Sequence, residues 1–258
     1  MQTTDIQKAQ GHWILAKMGK KVLRPGGKEL TQKLIDGLNI NSNSEVVEFA
    51  PGLGYTASLV AEKKPKSYTG VELDENAAHL LQKKLNAANQ KIVIGNAADS
   101  GLIEKSADIV YGEAMLTMQA DHRKSEIIKE AYRVLKPGGL YGIHELSLAN
   151  STDENSKAEI QRELALSIKV NARPLTENEW TALLENEGFT VKKVESNSMS
   201  LLEPKRMIDD EGLLRTIKIG MNILTHPDAR KRILNMRRIF HKYHSQLGAI
   251  AIVAEKKL

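Results

Sequence analysis

One stretch, VVEFAPGLGY at residues 46–55, limits what this 258-residue chain can fold into more than any other. An apolar run, broken only by Glu48, enters Pro51-Gly52-Leu53-Gly54, and a helix-forming stretch follows at residues 56–64. The order is strand, tight loop, helix. Glycines let the backbone take positive φ and approach a ligand closely. The N-terminus of the next helix presents free N–H groups. In an open α/β sheet, the crevice at such a strand end is where a nucleotide-like ligand binds. A plain surface turn after a buried strand would have the same local sequence.

The glycines alone do not name the ligand. Gly52-Leu53-Gly54-Tyr55-Thr56-Ala57 also satisfies the loose G-x-G-x-x-G/A pattern of dinucleotide sites. Glu48 bears on the choice. A carboxylate just before the loop repels a pyrophosphate at short range. It suits a cofactor that brings an ammonium and a sulfonium, as S-adenosylmethionine (SAM) does. A nicotinamide-binding oxidoreductase stays open on the glycine match.

The rest of the chain alternates strands and helices. Residues 67–73, SYTGVEL, read as a second strand ending at Glu72, about twenty residues past the glycines. A carboxylate there can accept two hydroxyl hydrogen bonds from a ribose diol. Asp74 is placed to cap a helix over 75–85. A third strand over 91–94 leads into Gly95-Asn96-Ala97-Ala98-Asp99, whose polar side chains could meet an adenine edge or simply make a turn. A buried strand over 107–111 ends at Gly112-Glu113-Ala114-Met115. An amphipathic helix over 121–134 stops at Lys136-Pro137-Gly138-Gly139, and a fifth strand over 140–145 ends at His144-Glu145. This alternation argues for a parallel, doubly wound sheet. A polar loop over 150–157, a helix over 160–170, a capping box at Thr176–Glu179 and a sixth strand over 189–194 follow. A last strand is expected over 249–254. Between these two strands lies a long insertion with two apolar helical faces, Leu213, Ile217, Met221, Leu224 and then Ile233, Met236, Phe240, Tyr243. Both are expected to pack against the core.

Together the pieces EFAPGLG (48–54), GVELD (70–74), GNA (95–97), ADIV (107–110) and RVLKPGGLYGIHE (133–145) resemble the class I SAM-dependent methyltransferases. LTENEWTALLENEGF (175–189) extends the match. Within that class the chain is similar to the small-molecule branch containing the ubiquinone/menaquinone-biosynthesis C-methyltransferases. Two positions depart from the usual pattern, Asn96 and Glu48, where aspartate is commoner. The resemblance implies a Rossmann-like, mostly parallel seven-stranded α/β sheet whose last strand is antiparallel. The match covers about residues 44–200 and the terminal strand; helical spacing outside it gives a helical cap over 1–43 and a helical insertion or lid over 203–246, around a core over 44–202 and 247–258.

The resemblance also implies roles. Glu48 would serve the methionine ammonium, and Ala50, Gly52 and Gly54 would line the cofactor with backbone. Glu72 would hold the ribose and Leu73 pack on adenine, with Asn96 and Ala97 at the adenine edge. Glu113 and Ala114 would sit by the methionine moiety. His144 and Glu145 are the candidate general bases, and His12 and Trp13 the candidate substrate contacts. The reaction would be in-line methyl transfer to a nucleophilic atom of a small acceptor. An RNA methyltransferase and a non-catalytic SAM-binding protein are the alternatives.

Composition removes other chemistries. No cysteine is present, which excludes disulfides, thiolate metal sites and a cysteine nucleophile. His241 and His244 lack a third ligand, so no metal is expected. The polar N-terminus MQTTDIQKAQ has no signal-peptide core, and no apolar stretch is long enough to span a bilayer. A cytoplasmic protein is expected. The net charge of +5 is mild. It does not argue for nucleic acid, and leaves peripheral membrane contact or a homodimer open.

Overall fold

The structure, a computed structural model, describes residues 6–257. Residues 1–5 of the expected cap lie outside it. The cap contributes α1 (Gly11–Lys17) and α2 (Gly27–Gly37). The core begins with β1 (Glu45–Phe49), α3 (Tyr55–Glu62), β2 (Ser67–Glu72), α4 (Glu75–Lys84), β3 (Gln90–Ile94) and β4 (Ala107–Glu113). It continues through α5 (Asp121–Val134), β5 (Leu135–Leu148), α6 (Glu154–Ile168), β6 (Leu175–Thr176), α7 (Glu177–Asn186) and β7 (Phe189–Ser198). Then come α8 (Pro204–Glu211), α9 (Leu213–Thr225), α10 (Pro227–Lys242) and β8 (Leu247–Lys256).

The main path of the sheet runs β3-β2-β1-β4-β5-β8-β7, with the two-residue β6 beside the end of β5. β8 is antiparallel to both its neighbours, and the other pairings are parallel. The sheet is therefore mixed, with the expected seven strands on its main path and β6 as an eighth. Strand residues alternate between two apolar layers, as a period of two requires. Val47, Phe49, Val110, Ile143 and Ile252 meet α5 and α7 on one face. Val46, Tyr68, Ile109, Ala251 and Val253 meet α2, α3 and α4 on the other.

Several local expectations change. β5 begins at Leu135, because the Lys136–Gly139 stretch is an irregular entry to the strand: Ala107 pairs Leu135 but Ile109 pairs Leu140. The expected loop over 150–157 already holds the start of α6, since Asp153 accepts from the N–H groups of Asn155 and Ser156. α2 lies across β5, β8 and β7 and buries Leu30, Leu34, Ile35 and Leu38 there.

The insertion forms three helices. Ile233, Met236, Phe240 and Tyr243 are buried against Ile14, Leu15 and Met18 of the cap and Ile160 and Leu164 of α6. Arg232, on α10, is buried. Its guanidinium donates to the carbonyls of Ile6, Gln7, Ala9 and Ser167 at 2.8–3.2 Å. The other expected packing face fails: Leu213, Ile217, Met221 and Leu224 on α9 point to solvent.

Candidate active site

The strand order reverses between β1 and β4, so a crevice opens at their C-terminal ends. Both strands leave the sheet through a residue in the left-handed region, Ala50 (φ 53°) and Ala114 (φ 54°). Neither is glycine, so each conformation costs on the order of 1–2 kcal/mol that surrounding contacts must offset. Ala50 donates its N–H to the Val71 carbonyl at 2.8 Å, and Ala114 to the His144 carbonyl at 2.7 Å. Gly52 and Gly54 also have positive φ. At Gly54 a Cβ would fall 2.1 Å from Leu81 Cδ1, so α3 could not start there with any side chain unless Leu81 shifts.

Glu72 sits at the lip of the crevice. One of its oxygens accepts from Gly52 N–H at 2.9 Å and the other from Asp74 N–H at 3.1 Å. The carboxylate is fixed and each oxygen keeps a lone pair for a hydroxyl. Glu113 lies deeper, at the end of β4. It accepts from Arg24 Nε at 3.2 Å, from Thr31 Oγ1 at 2.6 Å, from Thr56 Oγ1 and from His144 Nδ1 at 2.8 Å. Burial alone would raise its pKa. The Arg24 charge and the donors of His144 and Thr31 outweigh burial and hold it well below the usual carboxylate range.

Three expected roles are corrected by geometry. Glu48 does not face the crevice. It is buried in the sheet, where one oxygen accepts from Tyr68 Oη at 2.5 Å and Tyr111 Oη at 2.7 Å. Burial raises its pKa to about 7 despite these donors. Glu48 is not on the cavity wall. His144 is also fully buried. Its Nε2 accepts from Gly26 N–H at 3.2 Å, which puts the ring hydrogen on Nδ1, donated to Glu113. No lone pair is left to take a proton from a substrate. Glu145 does border the cavity, but both its oxygens are engaged. They accept from the N–H groups of Met115, Leu116 and Thr117 and from Thr117 Oγ1, at 2.7–3.0 Å. Its evident work is to hold the turn after β4.

The adenine-side candidates stand outside the cavity wall. Leu73 is largely exposed beside Glu72, and Ala97 packs on the core. Asn96 spends its side-chain oxygen on Ala98 N–H at 3.0 Å. His12 and Trp13, in contrast, are on the wall, with ring centroids 5.0 Å apart. Burial lowers the His12 pKa, so the ring is neutral at neutral pH.

Sequence reading missed Arg24. It is buried and pairs with Glu113, 89 positions away in the chain. Among the described residues it is the only Lys or Arg on the cavity wall. Gly26 permits this approach: a Cβ there would lie 2.4 Å from Leu30 Cδ2 and 2.9 Å from His144 Nε2.

The cavity measures about 260 Å³. Its inner side is polar, made by Arg24, Gly52, Glu72 and Glu113. Its far side is apolar, with Leu15, Met118, Ile168, Leu201, Met236 and Phe240 from the cap, the turn after β4, α6, the 199–201 segment and α10.

Residues 47–143 match the methyltransferase domain family. An uncharacterized protein of Haemophilus influenzae is 36% identical over 250 residues, covering 95% of this chain and 98% of that one. A phosphoethanolamine N-methyltransferase of Plasmodium falciparum is 24% identical over 218 residues, covering 78% and 82%. The solved phosphoethanolamine N-methyltransferase 2 of Haemonchus contortus, bound to phosphomonomethylethanolamine and S-adenosylhomocysteine, aligns with a TM-score of 0.72 at 14% identity. It covers 96% of this chain and 57% of that one.

Proposed function

We propose that this chain, which belongs to the class I SAM-dependent methyltransferases, methylates a small acceptor with an apolar body. The observation that carries this reading is the apolar far wall of the cavity. Such a wall gains free energy by covering hydrocarbon and offers nothing to a phosphate, which would need cations or clustered N–H groups. Arg24, the only Lys or Arg on the wall among the described residues, serves the cofactor's carboxylate, which leaves no such cation for an acceptor phosphate. Quinone precursors of the kind the sequence resemblance suggests fit this chemistry better than a phosphobase.

For the cofactor, Glu72 takes the ribose hydroxyls and the Ala50–Gly52 backbone the methionine end. Arg24 takes the methionine carboxylate through guanidinium N–H groups not used by Glu113. Glu113 holds four hydrogen bonds and acts by fixing Arg24. Leu73 covers adenine from its exposed position. SAM supplies an activated methyl group, so these residues mainly align donor and acceptor and exclude water. If the acceptor must lose a proton, His12 takes it: the ring is neutral and lines the cavity, and it makes no hydrogen bond among the described residues. The insertion over 203–246 serves as a lid through Met236 and Phe240.

Methyl transfer from labelled SAM to prenylated and simple phenols, with phosphoethanolamine and RNA in parallel, tests the reading. Incorporation into the apolar acceptors is expected, with kcat falling at least tenfold in His12→Asn at little-changed KM. Incorporation into phosphoethanolamine or RNA alone would overturn it. S-adenosylhomocysteine binding without transfer to any acceptor would favour a non-catalytic binding protein.

A further inference from the structure

The face of α9 that fails to pack carries a pattern of its own. Leu213, Leu214, Ile217, Met221 and Leu224 are each more than half exposed, Leu214 by 84%. At 3.6 residues per turn these five share an arc of about 100°. The opposite side is anchored: Ile219 is buried, and Asn222 Nδ2 donates to the Met18 carbonyl at 2.9 Å. The exposed face is thus held outward by the rest of the molecule.

Its charges have one sign. α9 contains Arg215 and Lys218 and no carboxylate. Arg230 reaches the C-terminal end of the helix, donating to the Leu224 carbonyl at 3.4 Å. The exposed Lys17 and Lys21 flank Gly19, which abuts Ile219 and Asn222. The neighbouring Glu211 accepts from the N–H groups of Lys21 and Val22 at 2.8 Å and lies 3.9 Å from Arg215 Nε, which leaves Lys218 as the cation of α9 without an ion-pair partner among the described residues.

We propose that this face docks the protein on an anionic lipid bilayer surface, with the five apolar side chains entering the headgroup boundary and the cations around them meeting lipid phosphates. An amphipathic helix with an apolar face and basic flanks binds such an interface through apolar area plus electrostatic attraction. A second copy fits less well. Two-fold pairing through this stripe would bring the Lys218 of one α9 toward that of the other, with no carboxylate on the helix to meet it.

Flotation with phosphatidylcholine vesicles, with and without phosphatidylglycerol, tests this on the full chain. The protein should rise with the anionic vesicles, and added salt should weaken the association. Leu214→Glu combined with Ile217→Glu should reduce the partition at least tenfold. Both positions are exposed, so S-adenosylhomocysteine affinity should stay unchanged, which reports an intact fold. No flotation on anionic vesicles, or equal flotation of the double variant, would overturn the proposal. A dimer in sedimentation that the same variant splits would assign the face to a second copy and overturn it as well.

Discussion

Arg24→Ala removes the only Lys or Arg on the cavity wall among the described residues, and with it the proposed charge-assisted hydrogen bond to the methionine carboxylate. Such bonds contribute about 1.5–3 kcal/mol, so the Kd for S-adenosylhomocysteine should rise at least tenfold by calorimetry. Arg24→Lys should recover part of that loss, because the charge remains but the planar fork does not. Unaltered affinity in the alanine variant would remove Arg24 from the cofactor site. Glu48 makes a separate prediction, about stability. Its native pKa is raised to about 7 by burial, with the Tyr68 and Tyr111 hydroxyls opposing. The folded state therefore holds a proton that the unfolded chain has released between the ordinary glutamate value and pH 7. The associated stability is full below the ordinary value and is lost as pH rises to about 7. Glu48→Gln should flatten this slope, making the variant relatively more stable at pH 8 than at pH 5 by up to about 3 kcal/mol. Urea unfolding at the two pH values measures it, and parallel profiles for variant and wild type would refute the assignment.

At the scale of elements, α7 shows how local chemistry sets a boundary. Thr176 accepts from Glu179 N–H at 3.2 Å, while the Glu179 carboxylate accepts from Thr176 N–H at 2.8 Å. This reciprocal cap starts the helix that buries Trp180 and Leu184 against the sheet. Thr176→Ala should lower stability by about 1 kcal/mol and leave S-adenosylhomocysteine affinity unchanged, since nothing in the cap touches the cavity. A shift in Kd would show that α7 is coupled to the site. The short turn after β4 is governed differently. Its three N–H groups converge on Glu145, which arrives from β5 about thirty positions later.

At the scale of the molecule, the cap and the insertion share one apolar cluster and both line the cavity. Asp210 and Glu211 of α8 accept from the N–H groups of Lys21, Val22 and Lys28, strapping the segment that carries Arg24. Removing residues 205–243 takes away Met236 and Phe240 from the cavity wall and uncovers Ile14, Leu15 and Met18. Methyl transfer should be lost. A weakened affinity for S-adenosylhomocysteine should persist, because Glu72 and the glycine loop are held by β1, β2 and α4, all outside the deletion. Undiminished turnover in that deletion would rule out a lid.

The sequence by itself determined the core. Periodicity and turn residues mark β1, α3, β2, α4 and α5 to within a residue or two, because each is set by neighbours a few positions away. The glycine loop and Glu72 were legible for the same reason: a strand end and a loop are local. Side-chain direction and long-range pairing were decided only by tertiary structure. Glu48 precedes the loop in sequence, yet the alternation of β1 turns it toward Tyr68 and Tyr111 inside the sheet. His144 reads as a free base until Gly26, 118 positions earlier, occupies its Nε2. Arg24 reads as surface charge until Glu113 is found beside it. The two apolar faces of the insertion look alike as periodic patterns. What separates them is whether another surface meets them: α1 and α6 cover α10, whereas α9 turns its stripe outward. Hydrophobic spacing specifies a face, but its partner is set by where the rest of the chain places its own apolar surface.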